Sequence, residues 1–230
     1  MISFLTKTIT EQNISAFTDV QDPFVCLTLP DMLPDDHWVR SVEKFIGRHP
    51  DYDVYHVNVK GEPAFPRRTS ADKFFRLVFL KGRRVPPFSF VFRWETFKEK
   101  AVFRADGSLD PLATVMACAQ RRPIRSVWLL KMACPPFPVL EGAAADARIW
   151  ERIELFRWTE GFFGEEDYPL GVGESLNLFA ATLVKLYPGR TEDELKTIMS
   201  NFQLSRGPLR KMRAANALKN ALKERKKELQ

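Results

Sequence analysis

The sequence predicts a mainly α-helical protein with a small β-hairpin element in its N-terminal lobe, and three observations lead to this fold class. Helical spacing of apolar residues, or a helix-start signal before an apolar run, recurs along most of the chain. Strand-like alternation is confined to residues 53–94. The proline-rich stretch "ACPPFP", residues 133–138, interrupts the helical segments and predicts a hinge between two lobes.

The first elements follow from local patterns. Residues 1–23 have scattered apolar positions without a periodic run, which predicts an extended arm. Residues 34–49, "PDDHWVRSVEKFIGRH", begin with proline and two acids and then space Trp38 and Phe45 at helical intervals, so we expect a helix. Residues 53–61, "DVYHVNVKG", alternate and end in glycine, as a strand does.

Residues 73–94 predict two β-rich runs around "KGRRVPP". Phe88, Phe90 and Phe92 alternate with smaller or polar residues, so these rings are predicted to lie in the core. Pro111 indicates a helix start. Further helices are predicted at 112–120, 124–132, 143–158, 173–187, 191–203 (with Thr191 as N-cap) and 209–229.

Composition favours an anionic partner. The formal net charge is +6 and the isoelectric point is about 9.3. The charge is banded: residues 60–104 contain twelve basic and four acidic residues, and the segment beyond Arg206 is strongly basic. Cys26, Cys118 and Cys134 are far apart and form no metal-binding pattern, which favours a reducing compartment. Without a signal peptide or an apolar run long enough for a membrane span, we expect a soluble intracellular protein.

Patterns typical of catalysis are weak in this sequence. His37, His49 and His56 have no serine or cysteine nucleophile in a recognisable motif. Asp51 and Glu194, in "HPD" and "ELK", resemble part of a metal-dependent nuclease set, but Glu194 follows a helix-capping pattern and not a strand. The stretch "GVGES" lacks the spacing of a phosphate-binding glycine loop. The sequence therefore predicts no enzyme activity, no metal and no cofactor.

Basic and aromatic residues instead indicate binding of single-stranded RNA. Long cations at strand ends and in loops can contact phosphates, and loop rings can stack on unpaired bases. The candidate stacking rings are Phe97 and Tyr168. The candidate phosphate contacts are Lys60, Arg67, Arg68, Lys81, Arg83, Arg84, Arg93, Lys98, Lys100, Arg104 and Arg125. In the basic C-terminal helix an apolar stripe predicts docking on the protein body, another copy or a membrane surface; it comprises Leu209, Met212, Leu218 and Leu222.

The order of these segments resembles the nucleoproteins of segmented negative-strand RNA viruses of the orthobunyavirus and peribunyavirus kind. The resemblance rests on "AFTDVQDPF", "YDVYHVNVKG", "FVFRWETFKEKAVFRADGSLDPLATVMA", "CPPFPVLEG" and "LFRWTEGFFGEEDYPLGVG". It implies two lobes, 24–133 and 134–204, that clamp RNA without reading its sequence, with arms at 1–23 and 205–230.

The resemblance also implies roles for single residues and for partners. Lys60 would be the cleft lysine, Lys98 or Lys100 would replace a loop arginine, and Tyr168 would supply a ring. Additional RNA contacts would come from Lys185, Arg190 and Lys196. The arms would join copies into a homo-oligomer, such as a tetrameric ring or a chain, through Phe4, Leu5, Ile9, Ile14 and Phe17 and through the C-terminal stripe. The viral polymerase would be a partner, and the protein would reside in the virion and the host cytoplasm.

Three alternatives stay open at this point. A non-viral RNA-binding or ribosome-associated protein would need one defined RNA. A membrane-associated, matrix-like protein would sediment with anionic liposomes. A nuclease would cleave RNA with a divalent metal and lose activity when Asp51 or Glu194 is replaced.

Overall fold

A six-stranded mixed sheet dominates the N-terminal part of the chain, in a computed structural model of the 230-residue protein. The chain divides into two units, Met1–Pro138 and Val139–Gln230. The structure describes residues 1–5, 9–14, 22–28, 34–61, 63–79, 85–132, 155, 158–159, 161–163, 172–187, 189–201 and 208–228. The lobe and arm boundaries expected from the sequence stay a prediction.

The sheet combines parallel and antiparallel strands in the order β1-β2-β5-β3-β6-β4. Its strands are β1 (Ile2–Leu5), β2 (Phe24–Leu27), β3 (Val54–Val59), β4 (Arg68–Thr69), β5 (Phe90–Arg93) and β6 (Ile124–Met132). The pairs β1/β2 and β3/β6 are parallel, and the other neighbours are antiparallel. The predicted mainly α-helical class is therefore wrong, because the fold is of mixed α/β type.

Four helices accompany the sheet in the described part of the first unit. They are α1 (Asp36–Arg48), α2 (Ala71–Phe79), α3 (Trp94–Lys100) and α4 (Pro111–Cys118), and a 3₁₀ turn spans Pro87–Ser89. The predicted helix over 34–49 and strand over 53–61 are confirmed. Helix α1 packs Trp38, Val42, Phe45 and Ile46 against one face of the sheet, in one core cluster with Tyr55, Val57 and Val127 of the strands.

Two segments have the opposite secondary structure to the one predicted. Residues 71–79 form helix α2, whose Phe74, Phe75 and Val78 are buried at helical spacing. Residues 124–132 form strand β6 between β3 and β4, and not a helix. A short apolar run fits a buried helix and a buried strand equally well, so periodicity alone does not distinguish the two.

Part of the predicted N-terminal arm, Ile2–Leu5, is a strand of the sheet. Strand β1 pairs in parallel with β2, and the Phe4 ring lies 6.2 Å from the Trp38 ring. Leu5 and Ile9, predicted to contact another copy, are buried within their own unit. Ile14 is half-buried, and Phe17 lies outside the described residues.

Helix α4 begins at the predicted Pro111, and Asp110 caps it. The Asp110 carboxylate accepts hydrogen bonds from the backbone N–H groups of Leu112 and Ala113, each at 3.0 Å. It also lies 3.6 Å from Nε of Arg104. The Asp110 side chain is 6% exposed, so the helix cap and the ion pair are both sheltered from water.

We expect Asp110→Ala to lower the free energy of unfolding by about 3 kcal/mol, because it removes a helix cap and a sheltered ion pair with Arg104. Urea unfolding of the purified protein measures this loss. Asp106→Ala is the matched control: Asp106 accepts hydrogen bonds from Ser108 at the surface, and its loss should cost less than about 1 kcal/mol. Equal losses in the two variants would contradict the assigned role of Asp110.

The second unit contains three long helices in its described part: α5 (Val172–Leu186), α6 (Glu192–Asn201) and α7 (Pro208–Glu228). These confirm three of the predicted helices, whereas the predicted helix at 143–158 falls largely outside the described residues. At the start of α6 the Thr191 hydroxyl and the Glu194 carboxylate form the expected capping box, with N–H to oxygen distances of 2.8 and 3.3 Å.

Helix α7 buries its apolar side within the second unit. Ala214, Ala217 and Ala221 are buried, Leu218 is fully buried, and Leu222 is half-buried. Of the predicted docking stripe, Met212 is exposed, and the side chain of Leu209 is not described. Of this stripe, Leu218 therefore belongs to the core of the second unit. None of the helices in the described part of the chain combines the length and apolar character that crossing a bilayer requires.

Candidate anion-binding site

Six of the predicted RNA contacts form ion pairs with carboxylates of the same chain. The pairs are Arg93–Asp53 at 3.1 Å, Lys98–Glu95 at 3.0 Å, Lys100–Glu99 at 2.9 Å, Arg104–Asp110 at 3.6 Å, Arg190–Glu194 at 3.8 Å and Lys196–Glu192 at 3.0 Å. Each of these positive charges has a local counter-charge. They therefore attract an anionic ligand less strongly than the sequence predicts.

Other predicted contacts include an exposed lysine and a buried ring. Lys60 is exposed just beyond the end of β3. The Phe97 ring is fully buried against Phe92 and Trp94, at centroid distances of 5.2 and 5.9 Å, so it has no face free for a base. Residues outside the described part are Lys81, Arg83, Arg84 and Tyr168, and Lys185 lies in α5 without a described side chain.

The sheet brings three of the predicted cations together at one edge. Strands β3 and β6 are parallel, so both begin at this edge, where Tyr55 pairs with Arg125. On the other side of β6, Arg68 of the antiparallel strand β4 is directly opposite Arg125. Directly opposite residues share a sheet face. Arg67 contacts Arg125 through its backbone: the Arg67 carbonyl accepts a hydrogen bond of 3.4 Å from Nη1 of Arg125.

Residues just after helix α1 complete this edge. His49 follows the last helical residue, Arg48, and the turn over 50–53 leads into β3. Nη2 of Arg125 lies 3.2 Å from Nε2 of His49. We define the arginine cluster as Arg48, Arg68 and Arg125 around His49.

Arg125 is the one lysine or arginine that is buried in the described part of the chain, at 9% exposure. Its guanidinium carbon lies 5.7 Å from the Phe45 ring and 5.5 Å from the Tyr52 ring. No described group accepts a hydrogen bond from its Nε, and no described carboxylate forms an ion pair with it. The rings stabilise the cation in part, but a buried guanidinium normally also has an anionic partner.

The electrostatics of His49 indicate a positive potential at the cluster. Removal from water, followed by the charges of Arg125, Arg48 and Arg68, lowers the pKa of His49 below its usual range. Because the Arg125 guanidinium can only donate, Nε2 of His49 accepts and the imidazole is neutral. The Tyr55 hydroxyl donates to the His49 carbonyl, and burial raises the Tyr55 pKa to about 12. These contacts fix the position of His49.

A groove of about 280 Å³ adjoins the cluster along helix α1. Its lining consists of His37, Ser41, Lys44, Phe45 and Arg48 of the helix and Val127 and Leu130 of β6. Phe45 also contacts His49, since the two ring centroids are 4.7 Å apart. The groove and the arginine cluster therefore share Phe45 and Arg48.

The described residues outside this edge offer little other site chemistry. No group of three or more histidine, cysteine, aspartate or glutamate side chains in the described ranges is arranged to hold a metal ion. Cys26 and Cys118 are buried, and burial raises the pKa of each thiol to about 12, so neither is a thiolate near neutral pH. His56 is fully buried, and no described group hydrogen-bonds its ring nitrogens.

Sequence reasoning found Arg67, Arg68 and Arg125 but missed Arg48, His49, Tyr52 and Phe45. One signal was present: in "PIRSVWLL" a lone arginine interrupts an apolar run, which is unusual in a buried element. The grouping depends on the β3/β6 pairing between distant segments, which no local pattern indicates.

Comparison with known proteins shows no family for this chain. No family model matches it, and no curated protein matches it. A solved structure that it matches is S. aureus TarS 1–349 in complex with UDP-GlcNAc, with 12% identity, a TM-score of 0.45 and coverage of 94% of this chain. The chain spans 61% of the length of that structure. A match at this TM-score is too loose to assign a fold or an activity.

The predicted nucleoprotein identity is corrected by these findings. The resemblance implied a mainly α-helical fold, which the mixed sheet contradicts. The homo-oligomer and viral polymerase partners were implied by that resemblance and are withdrawn with it. Binding of single-stranded RNA was also predicted from the basic and aromatic residues, and it is withdrawn because six of those cations are paired with carboxylates and Phe97 is buried. The absence of enzyme activity, predicted from the weak catalytic patterns, is withdrawn as well. The ribosome-associated and matrix-like alternatives find no support in the comparisons.

Proposed function

We propose that the first unit binds the phosphate group of a small ligand at the arginine cluster. The observation that supports this most directly is Arg125, a buried guanidinium whose Nε has no acceptor among the described residues. Burying a charge without a counter-ion costs several kcal/mol, and a bound anion would offset that cost. The fold therefore maintains a charge that a ligand can neutralise.

The composition of the cluster favours phosphate over a carboxylate. Arg48, Arg68 and Arg125 form no ion pair with a described carboxylate, so the cluster has a local excess of positive charge that suits a dianion. A guanidinium donates two parallel hydrogen bonds to neighbouring phosphate oxygens. Because the buried charge is concentrated at one point, the site suits one phosphate group better than an extended polyanion.

A thermal unfolding series tests the proposal. We expect inorganic phosphate to raise the midpoint temperature by several degrees at saturation, since a ligand at about 100 times its Kd stabilises the folded state by about 2.7 kcal/mol. Sodium chloride at matched ionic strength should give a smaller rise, and Arg40→Gln, an exposed arginine elsewhere on α1, should behave as wild type. Equal effects of chloride and phosphate would indicate general screening and contradict the proposal.

A further inference from the structure

We propose that the ligand is a phosphate ester whose apolar part, a single ring or short acyl chain, occupies the groove along helix α1. This inference rests on the proposed phosphate site, because the groove adjoins the arginine cluster. Arg48 lines the groove and is also one of the three arginines around His49. A phosphate on the cluster would therefore place its ester substituent at the mouth of the groove.

The lining of the groove has two chemically distinct parts. Phe45, Val127 and Leu130 form an apolar wall. His37, Ser41, Lys44 and Arg48 occupy successive turns of α1 and form a polar and mainly cationic edge. Apolar lining with a few polar groups is typical of small-molecule sites, and a cationic edge selects an anionic ligand. This combination fits an amphipathic anion.

An irregularity in the sheet shapes the apolar wall. In the β3/β6 pair, Val57 is opposite Val127, but the next residue of β3, Asn58, is opposite Lys131. Residues 128–130 of β6 therefore have no opposite residue in β3. One of them is Leu130, whose side chain lines the groove. Bulges of this kind are frequent beside binding sites because they redirect side chains.

The size of the groove limits the ligand. A volume of about 280 Å³ lies just below the usual range for small-molecule pockets, which begins at about 300 Å³. One aromatic ring or a chain of a few carbons fits this space. A larger apolar group would extend beyond Val127 and Leu130 into solvent.

Calorimetric titration of the full chain with inorganic phosphate, phenyl phosphate and phenol tests the inference. We expect phenyl phosphate to bind at least about tenfold more tightly than inorganic phosphate, which corresponds to about 1.4 kcal/mol, and phenol to bind far more weakly than either. Ser41→Trp places an indole ring in the groove. The ratio of the dissociation constants of inorganic phosphate and phenyl phosphate should then fall to about one. Arg40→Gln is the matched control and should keep the wild-type ratio.

Amide resonances of the wild-type protein provide a second measurement that does not depend on the folding of a variant. Phenyl phosphate should shift the resonances of Ser41 and Leu130 through the ring current, and inorganic phosphate should not. Equal affinities of the two phosphates, with no shift at Ser41 or Leu130, would overturn the groove assignment and leave the phosphate site standing. Absence of binding by both phosphates would overturn the phosphate site as well.

Discussion

Arg125→Met is expected to weaken phosphate binding by about 100-fold or more, because charge-assisted hydrogen bonds are each worth about 1.5–3 kcal/mol and a buried guanidinium forms at least two with a phosphate. In phosphate-free buffer the variant should be as stable as wild type or more stable. Methionine fills a similar volume, and the charge it removes has no described counter-ion.

A loss of phosphate affinity without a loss of stability distinguishes a ligand-binding arginine from a structural one. Calorimetry measures the dissociation constant, and urea unfolding without phosphate measures stability. Arg40→Gln removes an exposed arginine that pairs with Asp36 on the same helix, and it should leave both quantities unchanged. A variant Arg125→Met that binds phosphate normally, or that loses several kcal/mol of stability without a change in affinity, would show that Arg125 serves only the fold.

His56 should make the fold sensitive to acid. Its ring is fully buried between Phe65 and Phe90, at centroid distances of 4.4 and 4.9 Å, and burial lowers its pKa from 6.5 to about 3. The folded pKa is therefore below the unfolded one, so the unfolded state binds a proton first as the pH falls. The stability contributed by neutral His56 is fully present above pH 6.5 and is lost towards pH 3.

Between pH 6.5 and 4.5 this effect should cost about 2 kcal/mol, with a limiting slope of about 1.4 kcal/mol per pH unit. The measurement is the difference in urea unfolding free energy between wild type and His56→Phe across this range, which cancels the contributions of the carboxylates. The variant should be less sensitive to pH than wild type. His37→Gln, which removes an exposed histidine of α1, should keep the wild-type slope, and identical slopes in wild type and His56→Phe would contradict the assignment.

Local signals in the sequence predicted those elements whose boundaries are marked by capping residues or glycine. Helix α1 begins after the cap residue Asp35, α4 begins at Pro111 and α6 begins after the cap residue Thr191. Strand β3 ends before Gly61, whose φ of +88° favours glycine.

Residues 71–79 and 124–132 were mispredicted because their structure depends on distant partners. Residues 124–127 of strand β6 are all buried, so the apolar residues there do not alternate as those of a half-exposed strand would. The predicted fold class was wrong because this strand was predicted as a helix. Strand β6 pairs with two strands that are distant from it in sequence, and a local pattern does not reveal such pairing. The arginine cluster escaped detection for the same reason: Arg48, Arg68 and Arg125 are adjacent only once β3, β4 and β6 have paired.

The Nε–H group of Arg125 offers the most direct test of the proposed phosphate site. In ¹H–¹⁵N spectra of the wild-type protein, its resonance is identified by its absence from the spectrum of Arg125→Met. We predict that inorganic phosphate shifts this resonance to a plateau, with a midpoint equal to the calorimetric Kd, because the bound anion changes the electric field at the Arg125 guanidinium. If the Arg125 Nε–H resonance does not shift while the resonances of exposed arginines change gradually with added phosphate, the proposed phosphate site is contradicted.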